Sequence, residues 1–299
     1  MNGAGAAIEA TRALTTVEPR ARCSMIAGAN ALLRMKESTL PARERILHDA
    51  WAGRLIDDHW LLQSIRYARF TLPPLWRAID ELQTAHCVRH RSIDQLVLLA
   101  VAGGCKQVVV IGAGYDMRPS RFAARLEGVT WIELDLPGIG ARKRELVDTM
   151  IDSNHHVERA GVDLMRESVL DALAATHFDR DEPACFVLEG LIHYLPRARV
   201  EALLSDLSSG SARREVIVSF IRTQVYESAR GPLRWLVQLL GEIPRLHFAP
   251  RELEALAARH GFARFQSWTF DQQVTAFAPV ARTRRVGCTQ DVALLRDRA

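Results

Sequence analysis

From about residue 105 onward, short β-like runs alternate with segments of helical length, and this alternation limits the possible folds more than any other feature. The runs are QVVVIG (107–112), TWIEL (130–134), ERAGVD (158–163), CFVLEG (185–190) and EVIVSFI (215–221). Each is short and bounded by turn or polar residues. Amphipathic stretches such as ARKRELVDTMI and RVEALLSDLSS lie between them. Strands rich in β-branched residues and separated by helices predict an α/β fold, with a parallel sheet covered on both faces. The crossovers should be right-handed, and a ligand should sit at the carboxyl ends of the strands. Two more runs follow, FARFQSWTF (262–270) and DVALLRD (291–297). The first comes after PRELEALAARHG, a helix signature with proline at its start and Gly261 at its end. No helix is read between these last two runs, so they are expected to pair antiparallel. Seven strands with a reversed last strand point away from the six-stranded dinucleotide fold.

Residues 1 to about 100 read as helical, in patterns such as SMIAGANALLRM, ERILHDAWAGRLI and SIDQLVLLAVA. They are expected to form a helical cap on the sheet, so that 1–299 is one domain with its core in 101–299. An insertion at 222–249 carries Tyr226, Trp235, Leu236, Leu239 and Leu240, and is expected to cover the active cleft as a lid. Apolar residues make up 48% of the chain, enough for a sizeable core. The formal net charge is +4, so ARKRE (141–145) and ARTRR (281–285) read as solvated faces and no nucleic-acid partner is expected. No apolar run approaches the ~18 residues of a membrane span, and MNGAGAAIEATRALTT lacks the pattern of a signal peptide. Cys23, Cys87, Cys105, Cys185 and Cys288 contain no CxxC pair, which fits a reducing compartment. A cytoplasmic location is expected.

The segment VVVIGAGYDMRPSRF (108–122) carries the first chemical signal. Gly112 and Gly114 suit a tight turn that lets backbone approach a ligand. A dinucleotide pattern needs a third glycine at 117, where this chain has Met117, and Asp116 would repel a diphosphate. An acid at 116 suits a ligand with a positive group, such as S-adenosylmethionine with its ammonium and sulfonium. A simple glycine turn with a helix-capping aspartate explains the loop equally well. The second strand ends in Glu133 and Asp135, which share a parity and so a side. An acid there can accept hydrogen bonds from ribose hydroxyls. Asp163 ends the third strand and can face an adenine amino group, with Leu164 flanking the ring; the alternative is a turn aspartate.

These segments, with WIELDLPGIGARKREL and LEGLIHYLPRARVEALL, resemble the motifs of the leucine carboxyl methyltransferase family. More narrowly, they are similar to its bacterial branch of polyketide-type O-methyltransferases. The patterns in question are GAGxDxRxxR, F-E-x-D-x-P and E-G-x-x-x-Y-L, and the likeness covers about residues 85 to 270. The resemblance implies a Rossmann-like, seven-stranded class I methyltransferase sheet that uses S-adenosylmethionine. It implies that Gly112, Gly114 and Asp116 line the methionine part of the cofactor. Asp135, with Glu133 close by, would hold the ribose, and Asp163 and Leu164 would face the adenine. Glu189 would lie beside the methionine moiety. VRHRSID (88–94) matches an arginine segment often written R-T-R-F-I-D, so Arg89 would grip the cofactor carboxylate, with Arg91 the fallback. There are departures: DAWAGRLID (49–57) lacks the proline of D-P-x-A-x-x-L, Ser92 replaces a phenylalanine, and His193 stands where a methionine or other apolar residue is usual. These bear on the methyl acceptor more than on the cofactor.

The expected reaction is methyl transfer to a carboxylate or phenol oxygen of a small molecule, a secondary metabolite such as a polyketide. A protein C-terminal carboxylate is the alternative acceptor, and a cofactor-binding protein without transferase activity is a further reading. A carboxylic acid is already ionised at neutral pH and needs no base, whereas a phenol benefits from one. His193, just past the fourth strand, is the candidate base, or an inert loop histidine; Tyr194 can position the acceptor. His86 and His90 form an i, i+4 pair, but no HExxH glutamate accompanies them and Cys87 lies off that face, so no metal site is read.

Overall fold

The computed structural model of the chain describes residues 19–56, 73–122, 124–148, 157–210, 212–228, 244–286 and 289–297. Its seven strands are β1 (Gln107–Ile111), β2 (Thr130–Asp135), β3 (Val157–Gly161), β4 (Ala184–Leu188), β5 (Arg214–Phe220), β6 (Arg264–Trp268) and β7 (Asp291–Arg296). They form one sheet in the order β3-β2-β1-β4-β5-β7-β6. The first five pair parallel, and β7 runs antiparallel to both β5 and β6. The described helices are α1 (Pro19–Ser38), α2 (Pro73–Ala102), α3 (Arg118–Phe122), α4 (Pro137–Asp148) and α5 (Val169–Ala174). They continue with α6 (Arg197–Leu207), α7 (Thr223–Ser228), α8 (Pro250–Arg259) and α9 (Phe270–Phe277).

The central strands β1, β4 and β5 are buried along their whole length. That is why they read as continuous apolar runs rather than as alternation. Parity still sorts their side chains. Val108, Val110, Cys185, Val187 and Ile217 pack with Ile93, Leu96, Val97 and Ala100 of α2 on one face. Val109, Ile111, Phe186, Leu188, Val216 and Val218 pack with α6 and α8 on the other. The second half of α2 therefore lies directly on the sheet. α1 packs near the β1 loop, where its Ala27 and Leu32 share a cluster with Tyr115 and Met117.

One expectation is corrected. A helix does separate the last two strands: α9 is held by a capping box in which Thr269 and Gln272 satisfy each other's backbone N–H groups. The strands it separates are nonetheless antiparallel neighbours, because the chain passes α9 and an irregular stretch before it returns along β6. Of the predicted lid, residues 229–243, with Trp235, Leu236, Leu239 and Leu240, lie outside the described residues, as does the Tyr226 side chain. Its root is described. Arg222 bridges Phe248, and the Arg245 and Leu246 N–H groups donate to the His193 carbonyl at 2.7 and 3.2 Å. Among the described residues no helix is long and apolar enough to cross a membrane.

Candidate functional site

Strand order reverses between β1 and β4, so their carboxyl ends open a crevice at the place where ligands settle in such sheets. The β1 end turns through Gly112 at φ 70° and Gly114 at φ 47°. A side chain at 112 would put its Cβ 3.0 Å from Leu191, so glycine is required there both for its backbone and for space. The loop is tied to β2, since the N–H groups of Gly112 and Gly114 donate to the Leu134 carbonyl and to Asp135 Oδ2 at 2.8 and 2.6 Å.

Asp135 ends β2. Its other oxygen accepts from the Leu136 N–H at 2.6 Å, and no cation pairs with it among the described residues. Burial raises its pKa, and the two N–H donors offset that only in part. A carboxylate offers about four lone-pair positions, so Asp135 keeps acceptor capacity to spare. It lines a cavity of about 140 Å³ with Gly114, Pro137 and Gly161. Glu133, two residues earlier, borders the same cavity but carries a cation on each oxygen: Lys143 Nζ at 2.6 Å on one and Arg159 Nε at 2.9 Å on the other. Lys143 also donates to the Asp116 carbonyl and so bolts the glycine loop to β2.

Asp116 faces a partner inside the protein. Its carboxylate accepts from the Arg118 backbone N–H at 2.8 Å and from Arg118 Nη1. Burial opposes its ionisation, but the surrounding positive groups, Arg118 foremost and Lys143 with it, together hold the pKa below the usual carboxylate value. Arg118 is wholly buried and also reaches Asp94 Oδ1 at 2.7 Å and Glu189 Oε2 at 2.6 Å. Arg121 pairs with both oxygens of Asp94 and contacts His90 Nε2 at 2.8 Å. Arg89 donates from Nε to Glu189 Oε1 at 3.0 Å and from Nη2 to His86 Nδ1 at 2.8 Å. Its Nη1 makes no hydrogen bond among the described residues. Arg91 lies two positions on along α2, nearly opposite Arg89 around the helix. The loop motif contains both Arg118 and Arg121, but nothing in the sequence pattern pointed to a role for them, or for Asp94, His90 or Lys143.

His86, His90 and Glu189 bring three ligand-type atoms within 4.8 Å of one another. Guanidinium groups contact the nitrogens a cation would use: Arg89 on His86 Nδ1, and Arg118 and Arg121 on the two nitrogens of His90. A divalent ion there would meet strong like-charge repulsion.

Asp163 lies two residues past β3 in an Asx turn, accepting from the Met165 N–H at 3.0 Å, with Arg166 at 3.8 Å. Leu164 is packed into the core, and its carbonyl accepts from Arg199 Nε. His193 is buried, its ring centroid 4.2 Å from that of Tyr194, and its Nδ1 has no hydrogen-bond partner among the described residues. Burial, reinforced by Arg89, lowers its pKa to about 3.

A family model described as leucine carboxyl methyltransferase matches residues 27–208, from α1 to the end of α6. The chain belongs to that family. Two Streptomyces coelicolor proteins, each named "Putative S-adenosyl-L-methionine-dependent methyltransferase", are similar to it. One is 32% identical over 162 residues, 54% of this chain and 52% of the relative. The other is 37% identical over 126 residues, 42% of this chain and 44% of the relative. The chain thus spans about half the length of the curated relatives it matches. Human N-acetylserotonin methyltransferase, solved with S-adenosylmethionine, aligns over 95% of this chain and 72% of its own, at 14% identity and a TM-score of 0.46. The sheet, with its last strand antiparallel and helices on both faces, is the Rossmann-like seven-stranded sheet expected for a member of the leucine carboxyl methyltransferase family.

Proposed function

We propose that the chain is an S-adenosylmethionine-dependent O-methyltransferase whose acceptor is a carboxylate of a small molecule, a secondary metabolite such as a polyketide. Asp135 carries the reading. It is a half-buried carboxylate at the end of β2 with no cation paired to it among the described residues and spare acceptor positions, beside a glycine loop and a cavity. That is the chemistry a pair of ribose hydroxyls requires. Arg89, held by Glu189 and His86 but open at Nη1, suits a carboxylate at the other end of the crevice. Family membership and the relatives' names support the same cofactor.

When bound, S-adenosylmethionine supplies an electrophilic methyl group on a sulfonium. The chain's work is to hold the acceptor oxygen in line and to exclude water. His193 bears on which oxygen. An imidazole whose conjugate acid has a pKa of about 3 is neutral at pH 7 but a poor base for a phenol with a pKa near ~10. A carboxylate is ionised without help. His193 then serves as a neutral hydrogen-bonding group, and Tyr194 beside it orients the acceptor.

Calorimetry tests the cofactor site: Arg89→Ala and Asp135→Asn should each weaken S-adenosylmethionine binding by at least about tenfold. Normal binding by both variants would overturn the site. The acceptor is tested with methyl-labelled cofactor and a cell extract. Label in organic-soluble small molecules that mild alkali releases marks a methyl ester, as proposed. Alkali-stable label marks an ether and restores the phenol. Label in protein moves the reading to a protein C-terminal carboxylate, and binding without any transfer to a cofactor-binding protein.

A further inference from the structure

We propose that His90 is a positioning residue for the cofactor site: a neutral imidazole in the Nδ1–H form that fixes the Glu189 carboxylate and, through it, Arg89. The inference rests on the cofactor reading above. It starts from a conflict in the hydrogen-bonding partners of one ring.

His90 is buried on α2, one position past Arg89. Its Nε2 lies 2.8 Å from Arg121 Nη2, and its Nδ1 lies 2.9 Å from both Glu189 Oε2 and Arg118 Nη2. A guanidinium can only donate, and an ionised carboxylate can only accept. Two protons on the ring would set an N–H against Arg121. A proton on Nε2 alone would do the same and forfeit Glu189. A proton on Nδ1 alone donates to Glu189 and leaves Nε2 free to accept from Arg121. Arg118 Nη2 then directs its proton to Glu189 Oε2, its closer partner at 2.6 Å. Asp94 completes the surroundings, held by Arg118 and Arg121, and the ring of His86 stacks on that of His90 at 5.8 Å.

Glu189 is thereby held at both oxygens, one by Arg89 and the other by His90 and Arg118. This fixes the plane of the carboxylate, and so the angle at which Arg89 presents its Nη1. Threonine, usual in the pattern this segment resembles, carries a single hydroxyl and cannot span Glu189 and Arg121 in this way.

Asparagine and glutamine separate the two ends of the ring. The asparagine amide reaches about as far as Nδ1, and the glutamine amide about as far as Nε2. His90→Asn should keep the donor to Glu189 and bind S-adenosylhomocysteine close to the wild-type affinity. His90→Gln should keep the contact with Arg121, lose that donor, and bind about tenfold more weakly at a similar Tm. Equal affinities in the two variants, in either direction, would overturn the positioning role. Long-range histidine 15N spectra of the unliganded wild type give a second readout that does not depend on the cofactor. They should show the His90 Nδ1–H form at pH 7; an Nε2–H or doubly protonated ring would overturn the proposal. Should the wild type bind neither S-adenosylmethionine nor S-adenosylhomocysteine, the functional reading fails, and the positioning role fails with it.

Discussion

Arg118 meets three carboxylates that arrive from separate parts of the chain: Asp94 on α2, Asp116 in its own loop and Glu189 past β4. The guanidinium is planar and presents five N–H donors in a fixed fork, so one side chain can serve all three. A lysine ammonium in the same place is a point charge and cannot. Arg118→Lys should therefore leave at least two of these buried carboxylates short of a charged donor and cost about 3 kcal/mol, read from urea unfolding. A loss under about 1 kcal/mol would mean that the cluster relaxes around lysine. This residue also marks how far the sequence was legible. The glycine loop and Asp135 were legible as neighbours, because strand ends and loop motifs are local signals. What each acid faces was not. Asp116 looked like the partner of a cationic ligand, but its charge is met by Arg118 two residues on. Glu133 looked like a second ribose acid, yet Lys143 and Arg159 already set a cation against each of its oxygens. Both outcomes depend on side chains brought together by the fold, and spacing along the chain does not encode them.

At the scale of elements, the strands were the most legible part, because a strand buried on both faces has to be a short, almost wholly apolar run. The missed helix shows the opposite case. FDQQVTAF is only eight residues long, about two turns and too short for its period to mark a helix, but Thr269 and Gln272 form the T-x-x-Q signature of a capping box. α9 matters beyond its own length. Val274 packs with Cys87 and Val88 of α2, next to Arg89, and Phe277 reaches the face of the sheet that α2 covers. Removing the cap with Thr269→Ala should cost about 1 kcal/mol. Differential scanning calorimetry should show a lower Tm, while cofactor affinity at 25 °C should stay unchanged, because the cap lies away from the crevice. An unchanged Tm would show that packing against α2 holds the helix without it.

At the scale of the whole molecule, the buried ionisable groups set how stability responds to acid. Burial, with neighbouring arginines, holds His86, His90 and His193 below the ordinary histidine value of 6.5. As pH falls below 6.5 the unfolded chain takes up protons that the folded chain refuses. Stability is then lost on the way down to each folded value, which for His193 is about 3. Asp94, Asp116 and Glu189, held low by their arginines, add to the loss below about pH 4.5. Asp291 works in the opposite direction: burial raises it to about 6, so its contribution is present below 3.8 and lost as pH rises through about 6. Asp135 and Asp297 are shifted the same way. A pH profile of the wild type alone therefore mixes opposing contributions, and a difference between two proteins isolates one of them. His193→Met installs one of the apolar residues usual at this position and also removes an Nδ1 that has no partner among the described residues. The variant should gain on the wild type by about 2 kcal/mol between pH 7 and pH 5, because one proton bound by the unfolded chain and refused by the folded one is worth about 1.4 kcal/mol for each pH step. Urea unfolding of both proteins at the two pH values measures it. A gap that stays constant would show that His193 titrates in the folded protein as it does in the unfolded chain, and a neutral role for it in acceptor binding would fall with that result.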